Sequence, residues 1–307
     1  MEAFVFGNIT LDIICKVVDE VPRYESMSFD QVMVSPGGCG SNVAIGLSAM
    51  GISTALIGRI GSDDAAGLVE SYWKRVGLHT NYVEKVQGLP KGTSVGLIDQ
   101  NAQPRFIHTS GANKTLTASA LDIDQFIQDG AKSLHVAGFF VLPGIMDGSL
   151  APALELAQRK GLLVSLDVVR SPRMADPTPL WSLLPFVDIL LCNAHEASRI
   201  SGKDKPSQAA KELRQRGAGA VIVKLGKDGC LIESEDLTEC IPAPVANEVV
   251  DTTGAGDAFA AGLIAALLNG KSYPDACMAG NEAGVRAVGS LGAVSAWFDV
   301  PQPLKLK

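Results

Sequence analysis

Residues 251–263 read DTTGAGDAFAAGL, and the apolar run continues to Leu268, so a helix is expected over residues 255–268. Its opening is weak on propensity, because glycine loses the most backbone freedom on ordering. A glycine-rich start has another use. The first turn of a helix leaves backbone N–H groups unpaired and carries a partial positive charge, so Gly254, Ala255 and Gly256 can bring three bare donors against an anion. Asp257 follows on the same turn, where its carboxylate can accept a proton from a hydroxyl attacking beside that anion. The same residues also suit a plainer arrangement, with an acid complementing the helix dipole and glycines permitting close packing.

Working outward, strand-like segments at residues 3–6, 54–60, 133–137, 162–167, 187–192 and 220–224 alternate with helix patterns at 41–50, 65–76, 149–159 and 207–216. Gly51, Gly77, Gly161, Gly217 and Gly270 fall just past helix ends, where C-terminal stops belong. This rhythm predicts an α/β fold, a Rossmann-like doubly wound and mostly parallel sheet with helices on both faces. Residues 248–250 read as a strand entering the glycine-rich turn. Residues 13–18, 29–34, 93–99 and 104–108 break the rhythm, being β-rich with no helix inside either pair. They predict a small separate β-sheet projecting from the strand ends where ligands bind in open α/β folds. A lid formed by about 13–34 and 93–108 is one reading, and a hairpin insertion covering an edge is the other. No low-complexity linker interrupts the chain, so a single domain over 1–307 is expected.

Composition narrows the function. The chain has 307 residues, 47% hydrophobic and 19% charged, enough apolar surface for a sizeable core. No apolar run approaches the roughly 20 residues of a membrane span, and the N-terminus lacks the basic start of a secretory signal, so a cytoplasmic protein is expected. A net charge of −7 without basic runs argues against a nucleic-acid surface. The six cysteines form no C-x-x-C pair and read as reduced, mostly buried thiols; the four histidines are isolated from one another, which disfavours a protein-built metal site.

A second glycine-rich stretch, PGGCGSNVA at residues 36–44, leads into a helix. Asn42 on its first turn offers a donor and an acceptor, which suits a pair of sugar hydroxyls, although a capped turn would look the same. Neither stretch is a P-loop, and no G-x-G-x-x-G follows the first strand, so a dinucleotide site has little support.

Together the two stretches resemble the paired signatures of the ribokinase-like (PfkB) carbohydrate kinases. Gly37, Gly38, Asn42, Ala44, Gly51 and Gly61 fall at the intervals of the N-terminal signature, and residues 251–263 match the C-terminal one. The resemblance covers essentially the whole chain. It implies a phosphotransferase that uses ATP and magnesium, with Asp257 as general base and the N–H groups of Gly254, Ala255 and Gly256 on the transferring phosphoryl group. CNAHEAS, at residues 192–198, resembles the family's N-x-x-E stretch, which implies Asn193 at the γ-phosphate and Glu196 serving magnesium through water. Standing alone, Glu196 reads as an exposed first-turn acid. VKLGKDGC, at residues 223–230, resembles the nucleotide-binding strand and turn, placing Lys224, Gly226 and Gly229 near ATP, with Asn281 lining the adenine pocket. Asp251 and the loop around Gly292 resemble the monovalent-cation site of some members, a place for potassium. On the acceptor side the resemblance assigns Asp12, Gly38, Asn42 and Asn113.

The sequence also departs from the ribose-using pattern, carrying Thr10 in place of asparagine and Cys39 in place of lysine. Residues 138–142, GFFVL, are apolar where ribose users hold an acid, which opens the acceptor to a larger or partly apolar molecule such as a nucleoside, or to another sugar or sugar acid. Arg170 and Arg173 read as loop arginines. The expected function is phosphorylation of a hydroxymethyl group on a sugar or sugar derivative. A nucleoside kinase of the same family, a non-catalytic nucleotide- or sugar-binding relative and a dinucleotide-dependent oxidoreductase are the rivals. Pairing of two copies through the small sheet is the expected form of any homodimer.

Overall fold

The computed structural model describes residues 1–298; residues 299–307, the last of the span expected as one domain, lie outside the described residues. The first half of the chain forms β1 (Ala3–Gly7), β2 (Thr10–Lys16), β3 (Gln31–Gly37), α1 (Cys39–Ala49), β4 (Thr54–Gly61), α2 (Asp64–Arg75) and β5 (His79–Val86). β6 (Gly92–Ile98), β7 (Pro104–Thr109), α3 (Ile123–Gln128), β8 (Ser133–Ala137), α4 (Ala151–Arg159), β9 (Leu163–Asp167) and α5 (Thr178–Trp181) follow. The chain continues through β10 (Ile189–Asn193), α6 (Ala194–Ser201), α7 (Pro206–Gln215), β11 (Ala220–Lys224), β12 (Cys230–Glu233) and β13 (Thr238–Ile241) to α8 (Ala255–Leu268) and α9 (Tyr273–Val288).

The large sheet has the order β13-β12-β11-β10-β9-β8-β1-β4-β5. From β5 to β11 every neighbouring pair is parallel, and β12 and β13 return antiparallel at one edge. From β1 the chain builds outward through β4 and β5 on one side and, later, through β8 to β11 on the other. The order therefore reverses beside β1, the position where open α/β sheets bind ligands outside the carboxyl ends of their strands. Strands buried on both faces need no alternation, and Ala3–Gly7 and Ser133–Ala137 are buried at every position.

The small sheet has the order β3-β2-β6-β7. Its central pair, β2 and β6, is parallel, while both outer pairs are antiparallel. Ile14, Ile98 and Leu291 form a buried cluster with Met33 and Val250, which seats this sheet on the loops flanking α8 and α9.

Helix boundaries follow the sequence signals. The five predicted glycine stops all adopt positive φ, the left-handed conformation that ends a helix without a side-chain penalty. Residues 258–265 of α8 are all buried; burying a leucine, isoleucine or phenylalanine side chain contributes about 1.5–3 kcal/mol. Such a helix needs small residues to approach its neighbours. A side chain on Gly46 of α1 would lie 2.8 Å from the Ala261 methyl of α8, so the two helices cross in near-contact with their N-termini side by side.

Residues 248–250 are not a strand. No strand among the described residues offers a ladder there, and the segment is instead tied at single points: Val250 N–H donates to Val288 O at 2.8 Å, and Lys16 Nζ donates to Val250 O at 2.7 Å. No described helix is long and apolar enough to cross a membrane.

Candidate active site

Three strands end on a polar residue at the same edge of the large sheet: Asp167 closes β9, Asn193 closes β10 and Lys224 closes β11. They line a cleft of about 880 Å³ together with Glu196, Gly226, Gly229, Asn281 and the first turn of α8. Lys224 Nζ donates to both oxygens of Asp167, at 2.8 and 3.1 Å. That pair aims the ammonium at the helix N-terminus, since a side chain on Gly256 would lie 3.2 Å from Lys224 Nζ. Cation and helix dipole therefore converge on one point, an anion-binding arrangement.

Gly254 is the N-cap of α8 at φ 76°, and a side chain there would lie 2.6 Å from the Ala293 Cα, so only glycine fits. The N–H of Ala255 makes a turn bond to Thr252 O at 3.3 Å. Of the three donors expected to be bare, those of Gly254 and Gly256 are the ones without a partner among the described residues. The difference arises because the chain enters α8 through a turn rather than from a strand.

Asp257 is half-buried on the first turn of α8, and Asn42 Nδ2, from the first turns of α1, donates to its Oδ2 at 2.8 Å. The side-by-side helix starts make this bond. Gly38, the N-cap of α1 at φ 86°, packs on the Asn8 carbonyl, where a side chain would come within 2.6 Å. Asp12 on β2 is buried and accepts from Thr10 Oγ1 at 2.7 Å. The substitution at position 10 thus orients the acid beside it. Asn113 is placed differently from a pocket-lining residue: its amide accepts from Ile9 N–H and donates to Ile9 O, both at 2.8 Å. It fastens the return from β7 to the turn between β1 and β2.

On the opposite side, Asn193 and Glu196 form a reciprocal capping box, with bonds of 2.9 Å from Glu196 N–H and 2.8 Å from Asn193 N–H. Glu196 is 3% exposed, which corrects its reading as an exposed first-turn acid. Asn281 donates to Ile241 O at 3.0 Å from inside the cleft wall. Asp251 is fully buried; its carboxylate takes Thr253 N–H, Thr253 Oγ1 and, at 2.9 Å, Gly292 N–H, so the two segments expected to meet do meet. Phe139, Phe140 and Leu142 are fully buried in the main core. Of the apolar run at 138–142, Val141 alone is half-exposed, and it borders Gly138 where that residue packs by Asn8 and Cys39. Arg170 is exposed.

The model of the pfkB family of carbohydrate kinases matches residues 2–298. The chain belongs to the PfkB family. This PfkB carbohydrate kinase is 30% identical over 254 residues to an uncharacterised sugar kinase of Archaeoglobus fulgidus, covering 81% of this chain and 96% of the relative. It is 30% identical over 312 residues to a ribokinase of Arabidopsis thaliana, covering 98% of this chain and 80% of that one. Its fold superposes on the adenosine kinase of Sinorhizobium meliloti with a TM-score of 0.84 at 21% identity, covering 95% of each chain. It is a kinase for a small-molecule sugar or nucleoside, and use of ATP and magnesium is implied by the family.

Electrostatics set the PfkB site apart from the surface. Burial raises Asp257, opposed by the Asn42 hydrogen bond, by Lys224 and by the Cys39 thiol. Burial likewise pushes Asp167 up to about 6 against the pull of Lys224. For Lys224 burial works downward, but Asp167, Glu196 and Asp257 around it outweigh burial and hold the ammonium above its ordinary value. Burial and the Asp257 charge hold the Cys39 thiol well above its usual range, which keeps its hydrogen beside the base.

Asp12 is pushed up to about 6 by burial, opposed by Thr10 and Lys91. Its pKa is higher folded than unfolded, so its contribution to stability is complete below the ordinary value of 3.8 and is lost as pH rises through about 6. Asp12→Asn is therefore expected to raise the melting temperature at pH 7.5, by up to about 3 kcal/mol of stability, with the gain shrinking toward pH 4. Thermal melts at the two pH values check this, and an acceptor KM that rises in the same variant marks the acid as functional.

Sequence reasoning missed several residues here. Asp167 is absent from the expected site residues, although an acid ending a strand at the carboxyl edge is a positional signal. Asn8 and Ser35, whose side-chain oxygens are buried without a partner among the described residues, gave no signal, and neither did Lys91.

Proposed function

We propose that this kinase transfers the γ-phosphoryl group of ATP to a hydroxymethyl group of a sugar or sugar derivative. The observation that carries the reading is a carboxylate, Asp257, held by Asn42 at a helix N-terminus that also receives the Lys224 ammonium. As the acceptor oxygen bonds to the γ-phosphorus, its proton passes to Asp257. The bond from that phosphorus to the bridging oxygen breaks, and ADP leaves. The N–H groups of Gly254 and Gly256, with that of Ala255 turned from Thr252, and the Lys224 ammonium stabilise charge on the transferring group. In phosphoryl transfer such positioning and electrostatics supply most of the rate.

The cleft volume and its glycine-rich wall suit a nucleoside triphosphate. Asn193, Gly226, Gly229 and Asn281 would hold the nucleotide. Glu196 would hold magnesium through water, since that ion keeps several waters and takes few protein ligands. Bound magnesium neutralises phosphate charge. The two loops that meet where Gly292 N–H donates to Asp251 are the place for potassium. The acceptor lies between Asp12, Gly38 and Asn42, under the small sheet, which acts as a lid.

A coupled ADP-release screen over neutral sugars, sugar acids, sugar phosphates and nucleosides tests the reading. Turnover that depends on a sugar-class acceptor is expected. Absence of acceptor-dependent ADP release in every arm would overturn it, while a preference for inosine, cytidine or adenosine would move the assignment to a nucleoside.

The small sheet also offers a surface for a second copy of this chain. Val34, Ile13, Val95 and Ile107 pair across β3, β2, β6 and β7 in one row. They share the face opposite buried Ile14, with Val34 37% and Ile107 68% exposed. Light scattering is expected to show a dimer for the native chain and a monomer for Ile107→Glu, because a buried unpaired charge opposes association. A native monomer would remove the dimer from the assignment.

A further inference from the structure

The turn that feeds β6 carries a cation the mechanism has not used. Lys91 is 1% exposed. Its backbone N–H donates to Asp63 Oδ2 at 2.8 Å, and Asp63 caps α2, so the main chain at this turn is fixed. The side chain is another matter: Nζ is buried and has no hydrogen-bond partner among the described residues. An ammonium carries three donors, and enclosing it without a partner is strongly unfavourable unless something that binds there supplies one.

The register sets the main chain of Lys91 beside β2. β2 and β6 run parallel with Thr10 beside Gly92 and Asp12 beside Ser94, so Lys91 comes one residue before the position that pairs with Thr10. Ser35 faces Asp12 from β3. Asn8 Oδ1, Ser35 Oγ and Asn42 Oδ1 are also buried and unpartnered among the described residues. Oxygen acceptors of this kind suit hydroxyl groups. A lysine does not share that function, because it can only donate, and its charge calls for an anion.

We infer that Lys91 is a specificity-determining residue that pairs with an anionic group of the acceptor, so that the molecule phosphorylated is a polyhydroxy compound bearing a carboxylate or a phosphate. The inference rests on the kinase reading given above. The electrostatics agree with it: Asp12 feels the Lys91 charge, and Asp257 feels that of Asp12. Burial pulls Lys91 down to about 7, with Asp12 and Asp63 opposing.

The test compares kcat/KM of the full chain with MgATP on fructose, fructose 6-phosphate, glucose and gluconate, for the native protein, Lys91→Met and Lys91→Arg. In the native protein one charged acceptor is expected to exceed its neutral partner by roughly 100-fold, the scale of a desolvated charge pair. Lys91→Met should collapse that ratio by a similar factor, chiefly through KM, and Lys91→Arg should restore most of it. The fructose 6-phosphate and gluconate arms tell a phosphate from a carboxylate. A native protein that prefers the neutral partners overturns the proposal without needing any variant, and so does a ratio unchanged in Lys91→Met. Turnover of neutral sugars alone leaves the kinase reading standing and removes Lys91 from specificity. Silence of every acceptor, neutral and charged, in both this comparison and the wider screen removes the kinase reading itself, and the inference with it.

Discussion

Asp257→Asn is expected to lower kcat by about 10²–10⁴-fold, the range that a positioned general base contributes. Asparagine keeps the shape of the side chain and can still meet Asn42, but it cannot take the hydroxyl proton. Because Asp257 sits at the helix start rather than on the nucleotide-facing strands, binding of ATP should survive, and thermal shift with MgATP reads that directly. Unchanged kcat on the best acceptor would sink the mechanism whatever the acceptor is. In the native protein the acidic limb of the kcat/KM profile should fall at a pH above the ordinary carboxylate value of 3.8, since burial raises Asp257 and lifts Asp167 to about 6. The base is active only when deprotonated, so activity is lost as pH falls through that limb.

Lys224→Met has the second large effect, and it acts on stability and chemistry together. Asp167 and Lys224 are 7% and 14% exposed at their side chains, and removing the cation strands a buried carboxylate. Breaking a buried pair in this way costs about 3–5 kcal/mol, much of it as the penalty on the partner left behind. Turnover should fall as well, by roughly 10²–10³-fold if the ammonium stabilises charge as an anion-hole donor does. The two effects separate in Lys224→Met/Asp167→Asn. The neutral amide no longer needs a counter-charge, so the melting temperature recovers while turnover does not. Recovery of both would reduce Lys224 to a structural group.

Much of this fold was written in local signals. The helix at 255–268 matched because an apolar run met a glycine stop, and the strands at 133–137 and 220–224 matched because they are buried on both faces. β5 left no such mark: its side chains are exposed or half-exposed at every position, so neither alternation nor a solid apolar run marks it. The supposed strand at 248–250 failed for the opposite reason, having strand-like residues and no strand among the described residues to pair with. In the site, Asp257 and Asn42 were legible because glycine-rich helix starts advertise themselves. Asp167 and Lys91 were not. An aspartate after a strand looks like any loop acid, and a lysine between proline and glycine looks like a solvated turn. Their burial is created by segments far away in the chain, and no local window contains it.

The bond between Asn42 and Asp257 joins residues 215 positions apart. The base is therefore completed by the opening fifth of the chain and the closing one, after the large sheet between them has set both helices in place. The cleft itself draws on the first turn of α8 and on Asn281, beyond Asp257, so its wall and its base are completed by the same closing segment. Catalytic competence arrives last, and it arrives all at once.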